Sequence, residues 1–346
     1  AYHHLRQYER ALADYDAIVA RDPGRVHVLL DRAALHVEQK AYERALADLN
    51  QIAALRPDDA MLTMQRGVVR QRAGDGETAR AELARAVELA PRHSWAHLVY
   101  GGALLWALDL DGAAAALQRA LELEPTSAVA LSNLALVCHA RGDDAGAEQY
   151  LARAITADPA FHYALALRGV RRMRAGDLDG AAADLDRAVA LSPNEPELAW
   201  HRGRLRHCRG DDAGAGAEIE RCLALDAEDA CVHAPLWLEL HVAGDLPWAQ
   251  HYYAHIIARR PDLSAAYHGR ADALRVNGMA AEAIADYDRA LELEPGRAGA
   301  LLGRALARAA LGDDPTADAR RALECARTLD LRRAAQALLE PAASPA

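Results

Sequence analysis

The segment HYALALRGVRRMRAGDLDGAAADLDRAVALSPNE, residues 162–195, repeats its own design along the whole chain. Its Ala181 has counterparts at Ala11, Ala45, Ala79, Ala113, Ala147, Ala215, Ala249, Ala283 and Ala317, always on a step of 34 residues. Its Pro193 keeps the same beat with Pro23, Pro57, Pro91, Pro125, Pro159, Pro261 and Pro295, and only Ala227 and Leu329 break the row. No insertion or deletion interrupts the frame. A fixed period of this length is the mark of stacked repeats, each too small to bury a core alone.

With the periodic alanine numbered 20 and the proline 32, each unit holds two helical patterns, at about positions 1–14 and 17–31. Between them stands a breaker: Gly74-Asp75, Gly142-Asp143, Gly176-Asp177, Gly210-Asp211, Gly244-Asp245 and Gly312-Asp313. Glycine there suits the left-handed turn that ends a helix, and aspartate caps the next one. The proline at 32 ends the second helix because it lacks the N–H that would continue the ladder.

Composition supports an all-α chain. Apolar residues are 52% of the 346, aromatics only 5%, with a single Phe, so Ala and Leu do the packing. Lys40 is the only lysine, a bias we read as high-GC, bacterial codon usage. The net charge of −10 argues against a general nucleic-acid binder, which needs a basic surface. The five cysteines, Cys138, Cys208, Cys222, Cys231 and Cys325, form no C-x-x-C and are expected as reduced core thiols of a cytoplasmic protein. No apolar run is long enough to insert in a membrane.

These spacings resemble the tetratricopeptide repeat. Unit six carries the pattern of that family with Gly169, Ala181, Leu185, Ala188 and Pro193, and unit three with Gly67, Ala79, Leu83, Ala86 and Pro91. The resemblance covers essentially the whole chain and implies a right-handed α-solenoid of helix-turn-helix repeats. The expected organisation is one solenoid over residues 1–340. It comprises a truncated first repeat (1–25), eight full repeats (26–297), and a degenerate last repeat with a capping helix (298–340); a loose tail (341–346) follows. Ala1 falls at position 10, in mid-helix, which suggests that further residues lie upstream. In the last unit Arg321 and Glu324 replace the apolar positions 24 and 27, as a polar cap requires. Unit eight departs from the pattern with Pro235 and Trp237, and a displaced first helix is expected there.

The repeats can also be compared with one another. Arg at position 7 goes with an acid at position 23 in Arg32/Asp48, Arg66/Glu82, Arg168/Asp184, Arg202/Glu218 and Arg270/Asp286. Where the arginine is missing so is the acid, as in Tyr100/Ala116, Leu134/Tyr150 and Leu236/Tyr252. Arg304/Arg320 is the exception. An ion pair inside each hairpin explains this covariation; common descent of duplicated units explains it without contact.

No catalytic motif is present: no phosphate loop, no H-E-x-x-H, no G-x-S-x-G, no dinucleotide fingerprint. His251/His255 and His93/His97 stand four apart on helices, but no third ligand is near either pair in sequence, so neither metal nor cofactor is expected. In the resembling family, positions 2, 5, 9, 12 and 13 of the first helices line a concave groove that holds a partner. Carried over, these imply partner contacts by Met61, Met64, Arg72, Trp95, Leu98, Leu105, Trp106, His139, Tyr163, Met173, Arg174, Trp200, Arg204, His207 and His241. The chaperone-binding subgroup uses Lys and Asn at positions 5, 6 and 9; only Asn133 matches, so that specificity is not implied. The expected function is a non-enzymatic scaffold that binds a peptide or helix of a partner protein. The alternatives are a regulatory or substrate-recruiting arm of a larger enzyme, and a self-association module giving homo-oligomers.

Overall fold

The computed structural model describes residues 8–225, 246–326 and 328–340. The expected displaced first helix of unit eight, with Pro235, Trp237 and His241, falls outside the described residues, as do Cys231 and residues 341–346. The chain divides into two compact units, residues 1–137 and 138–346. Among the described residues there are nineteen helices and no strand.

The first unit contains α1 (Tyr8–Arg21), α2 (Val26–Glu38), α3 (Tyr42–Leu55), α4 (Ala60–Arg72), α5 (Gly76–Leu89), α6 (Ser94–Trp106), α7 (Leu110–Leu123) and most of α8 (Ala128–Ala140). The second contains α9 (Asp144–Ala157), α10 (His162–Arg174), α11 (Leu178–Leu191), α12 (Pro196–Cys208), α13 (Asp212–Leu225), α14 (Leu246–Arg259), α15 (Ser264–Val276), α16 (Ala280–Leu293), α17 (Ala298–Leu311), α18 (Thr316–Cys325) and α19 (Leu329–Ala337). Within each unit, first helices pack on the second helix of their own repeat, as α4 on α5 and α10 on α11, and second helices pack on the next first helix, as α5 on α6 and α11 on α12. This is the α-solenoid class that the period implies.

The turns form as the breaker residues dictate. Gly74, Gly142, Gly176, Gly210 and Gly312 all have φ between 75° and 84°. The Asp177 carboxylate then accepts from Gly180 N–H at 2.9 Å, and Asp109, Asp143 and Asp211 cap their helices in the same way. Lys40 and Leu108 stand at the same turn position and hold φ of 57° and 60° without glycine's freedom. An L-residue in that region is strained by about 1–2 kcal/mol.

Small residues set the interhelical distance. The periodic alanines Ala45, Ala79, Ala113, Ala147, Ala181, Ala215 and Ala283 are wholly buried. At position 8 the fit is tighter: a Cβ built on Gly101 stands 2.7 Å from Leu117 Cγ, and one on Gly169 stands 2.9 Å from Leu185 Cγ. A larger side chain at either glycine forces the hairpin apart.

The covariation is a contact. Arg32 meets Asp48 at 2.6 Å, Arg168 meets Asp184 at 2.6 Å, Arg202 meets Glu218 at 2.7 Å and Arg270 meets Asp286 at 2.6 Å, and Arg66 pairs with Glu82. Asp184 is taken by both ends of the Arg168 fork, Nε at 2.8 Å and Nη2 at 2.6 Å, and Arg172 adds a second guanidinium at 2.8 Å. Three of the arginines also reach back to the preceding second helix: Arg32 to Asp16 at 2.6 Å, Arg202 to Asp186 at 3.5 Å and Arg304 to Asp288 at 2.5 Å. One side chain thus ties three helices.

The last hairpin corrects the frame. Arg304 does not face Arg320; it reaches Asp318 at 2.6 Å, two residues earlier. Ala319 is fully buried there while Ala317 is exposed. The helix itself begins late: α11 starts directly after its capping Asp177, whereas α18 starts only at Thr316, after Pro315. The register of this hairpin therefore differs from that of the others without any gap in the sequence. Arg321 and Glu324 are exposed, and α19 packs on α17 and α18. The cysteines also differ from expectation: Cys222 is buried, but Cys208 is exposed, because its position 13 points away from the hairpin.

Replacing Asp184 by Ala strands two guanidinium groups and is expected to destabilise by about 3–5 kcal/mol. Asp186→Ala, at an exposed rim pair, is expected to cost about 0–1 kcal/mol. Urea unfolding midpoints compare the two, and equal shifts refute the buried lock. Leu108→Gly should relieve the left-handed strain and raise stability by about 1 kcal/mol. A lowered midpoint contradicts that.

Candidate partner-binding face

The residues implied to line a groove do not share one environment. Met61, Trp95 and Trp106 are 46%, 51% and 51% exposed, and Arg72 and Arg174 are exposed too. Met64, Leu98, Leu105, Met173, Trp200 and Arg204 are buried. Tyr163, His139 and His207 lie between. His241 falls outside the described residues.

Helical geometry accounts for the division except at position 9, where Arg204 is buried. At about 100° per residue, positions 2, 9 and 13 fall within roughly 40° of one another, whereas 5 and 12 lie about 40–100° to one side. That side faces the neighbouring hairpin. Position 5 is buried at Met64, Leu98, Ser132, Ala166 and Trp200 and half-buried at Leu30. Position 2 is open in the first unit, at His27, Met61, Trp95 and Val129, and position 13 is open at Arg72 and Trp106. Trp95 and Trp106 therefore stand near opposite ends of one face of α6. Leu108, two residues past Trp106, adds an exposed apolar side chain in a strained turn.

The second unit is built differently. Trp200 is 3% exposed and packs edge-on against Trp248 and Tyr252, with centroids 6.0 and 6.4 Å away. Its arginines are largely met by the chain's own acids: Arg171 by Asp144 at 2.7 Å, Arg209 by Asp179 at 2.6 Å, and Arg206 by Glu218 at 3.5 Å. Arg174 donates to His139 Nε2 at 2.8 Å. Burial first, and then Arg174, lower the proton affinity of His139, consistent with that acceptor role.

A small cleft between α10 and α12 is lined by Tyr163, Leu167, Glu195, Glu197, Leu198 and His201. Desolvation, then Glu195, push the Glu197 carboxyl up. Burial, then the charges of Arg204 and Arg174, push His201 down to about 3.

The histidine pairs noted in the sequence are engaged elsewhere. His93 caps α6 by accepting from Ala96 N–H at 3.3 Å, and His97 contacts the Pro91 carbonyl at 3.0 Å. His255 pairs with Glu220 at 3.1 Å. His251 instead meets His207 and Asp212, which sequence spacing did not bring together.

Tetratricopeptide repeat profiles match residues 32–100, 107–160, 167–230 and 264–297, together more than half of the chain. No curated protein sequence matches. Among solved structures, human IFIT1, as a dimer with PPP-AAAA, superposes with a TM-score of 0.53 at 16% identity, over 83% of this chain and 69% of that one. Cut9, from the APC/C hetero-tetramer Cut9–Hcn1, gives 0.51 at 16% identity over 98% of this chain and 60% of that one. PilW, a widely conserved type IV pilus biogenesis factor, gives 0.50 at 19% identity over 57% and 92%. Likeness at such identities establishes a shared fold and nothing about ligands.

The buried His201 makes stability depend on pH. The unfolded imidazole binds a proton near 6.5 and the folded one only near 3. The stabilising difference is therefore complete above about pH 6.5 and is lost as pH falls towards 3, by up to about 1.4 kcal/mol per unit. Urea midpoints between pH 7 and pH 5 should fall for the wild type and fall less steeply for His201→Gln. Parallel slopes refute the assignment.

Proposed function

Because the chain belongs to the tetratricopeptide repeat family, we propose that it is a protein-interaction scaffold whose first unit holds an apolar segment, a peptide or helix, of a partner protein. The observation that carries this reading is the half-exposure of Trp95 and Trp106 on one face of α6. Two half-exposed tryptophans on a single helix form an apolar patch, and exposed apolar patches of this kind mark binding sites. Met61 and Val129 continue the row at position 2 of α4 and α8. Leu108 extends it at a turn where glycine is the relaxed choice.

The chemistry of that face favours an apolar partner. Tryptophan, methionine and arginine dominate interface energies, and Arg72 supplies a charge at the edge. An amphipathic helix laid across parallel first helices would meet apolar contacts at regular intervals. The acidic balance of the chain opposes nucleic acid as the general partner. The functional reading is one of binding rather than catalysis.

A quantitative pull-down tests it. Trp95→Ala/Trp106→Ala should weaken capture of the partner by at least about 30-fold, from roughly 2 kcal/mol lost at a central tryptophan. Arg174→Ala, in the second unit, should leave capture unchanged. Equal recovery of the same proteins by the double variant and the wild type overturns the reading.

A further inference from the structure

We infer that His207, Asp212 and His251 form a binding site for a divalent transition-metal ion of the zinc class. The site is independent of the partner face proposed above. His207 is near the end of α12, Asp212 opens α13, and His251 lies on α14. Each offers one ligand atom, and the three atoms lie within 4.8 Å of one another. Ligands bound to zinc at about 2.0–2.2 Å stand roughly 3–4 Å apart, so small side-chain rotations close the set.

The imidazoles are held ready. His207 and His251 stack with centroids 4.4 Å apart and planes 30° apart. Both lie against Trp248, which is wholly buried: His207 at 5.5 Å and His251 at 5.6 Å. One rigid indole thus fixes both rings, as the shell around a metal site must. Asp212 Oδ1 stands 2.8 Å from His207 Nδ1 and supplies the negative charge.

An independent observation points to a ligand. The Nε2 atom of His251 is shut off from solvent and has no hydrogen-bond partner among the described residues. A buried polar atom left unmet is costly, and a metal ion meets it directly. Simple ring stacking explains the contact of the two imidazoles but leaves this nitrogen unsatisfied.

Two imidazoles and one carboxylate suit zinc, cobalt or nickel rather than magnesium or calcium, which favour oxygen-only sets. Three protein ligands leave a fourth position for water or a side chain of another molecule. Because the ligands come from three helices, the ion would tie the seventh hairpin to the second helix of the eighth.

The test uses the full untagged chain, stripped of metal and titrated with zinc chloride alone in a calorimeter; cobalt(II) is followed by its visible absorption. The wild type should take up one equivalent of zinc. His207→Ala and His251→Ala should each weaken it at least about 10-fold. Asp212→Asn, on an exposed side chain that does not endanger folding, should weaken it as well. His255→Ala, one turn away and paired with Glu220, should bind as the wild type does. No saturable uptake by the wild type overturns the proposal. So does wild-type affinity in both His207→Ala and Asp212→Asn, or equally tight binding of calcium.

Discussion

A carboxylate enclosed between two helices has to be matched by positive charge, and this requirement shapes every hairpin that contains one. Asp184 and Glu218 are buried and each receives at least two guanidinium groups. The pairing fixes the rotation of the second helix about its axis, because only one face brings position 23 to position 7. The small residues at positions 8 and 20 then fix the distance. Ion pair and close contact are complementary: a helix turned away from the arginine would also drive Leu185 into Gly169 at another angle. Hairpins without the pair, such as that of α6 and α7, use the same glycine contact with Leu117 and apolar side chains throughout.

Much of this was legible in the sequence because the repeats supply their own comparison. A period and a covariation are both visible by counting, and the five predicted pairs are all in contact. The last hairpin was misread for the same reason. Counting assumes that each turn spends the same number of residues, but α18 begins only after Pro315, and Asp318 rather than residue 320 meets Arg304. A proline within the turn was the available signal.

The candidate binding face was less legible. Grouping positions 2, 5, 9, 12 and 13 placed Trp95 and Trp200 in one class, yet one is half in water and the other is core. The difference is about 60° of helical rotation, which the residue numbers contain, plus the presence of Trp248 and Tyr252 to receive Trp200, which they do not. The arginines of units six and seven are mostly spent on the chain's own acids, partners that the residue numbers alone do not name. The meeting of His207 with His251 was out of reach because it depends on how two separate helices share Trp248.

The lock between Arg168 and Asp184 is tested most directly by a double-mutant cycle. Unfolding midpoints of Arg168→Met, Asp184→Leu and the pair together isolate their mutual energy from the cost of each loss alone. Two residues that grip one another should show a coupling of about 1–3 kcal/mol, with the double variant recovering much of the stability that each single variant loses. Strict additivity, within about 0.5 kcal/mol, would mean that the paired side chains are neighbours by descent and do not hold the hairpin together.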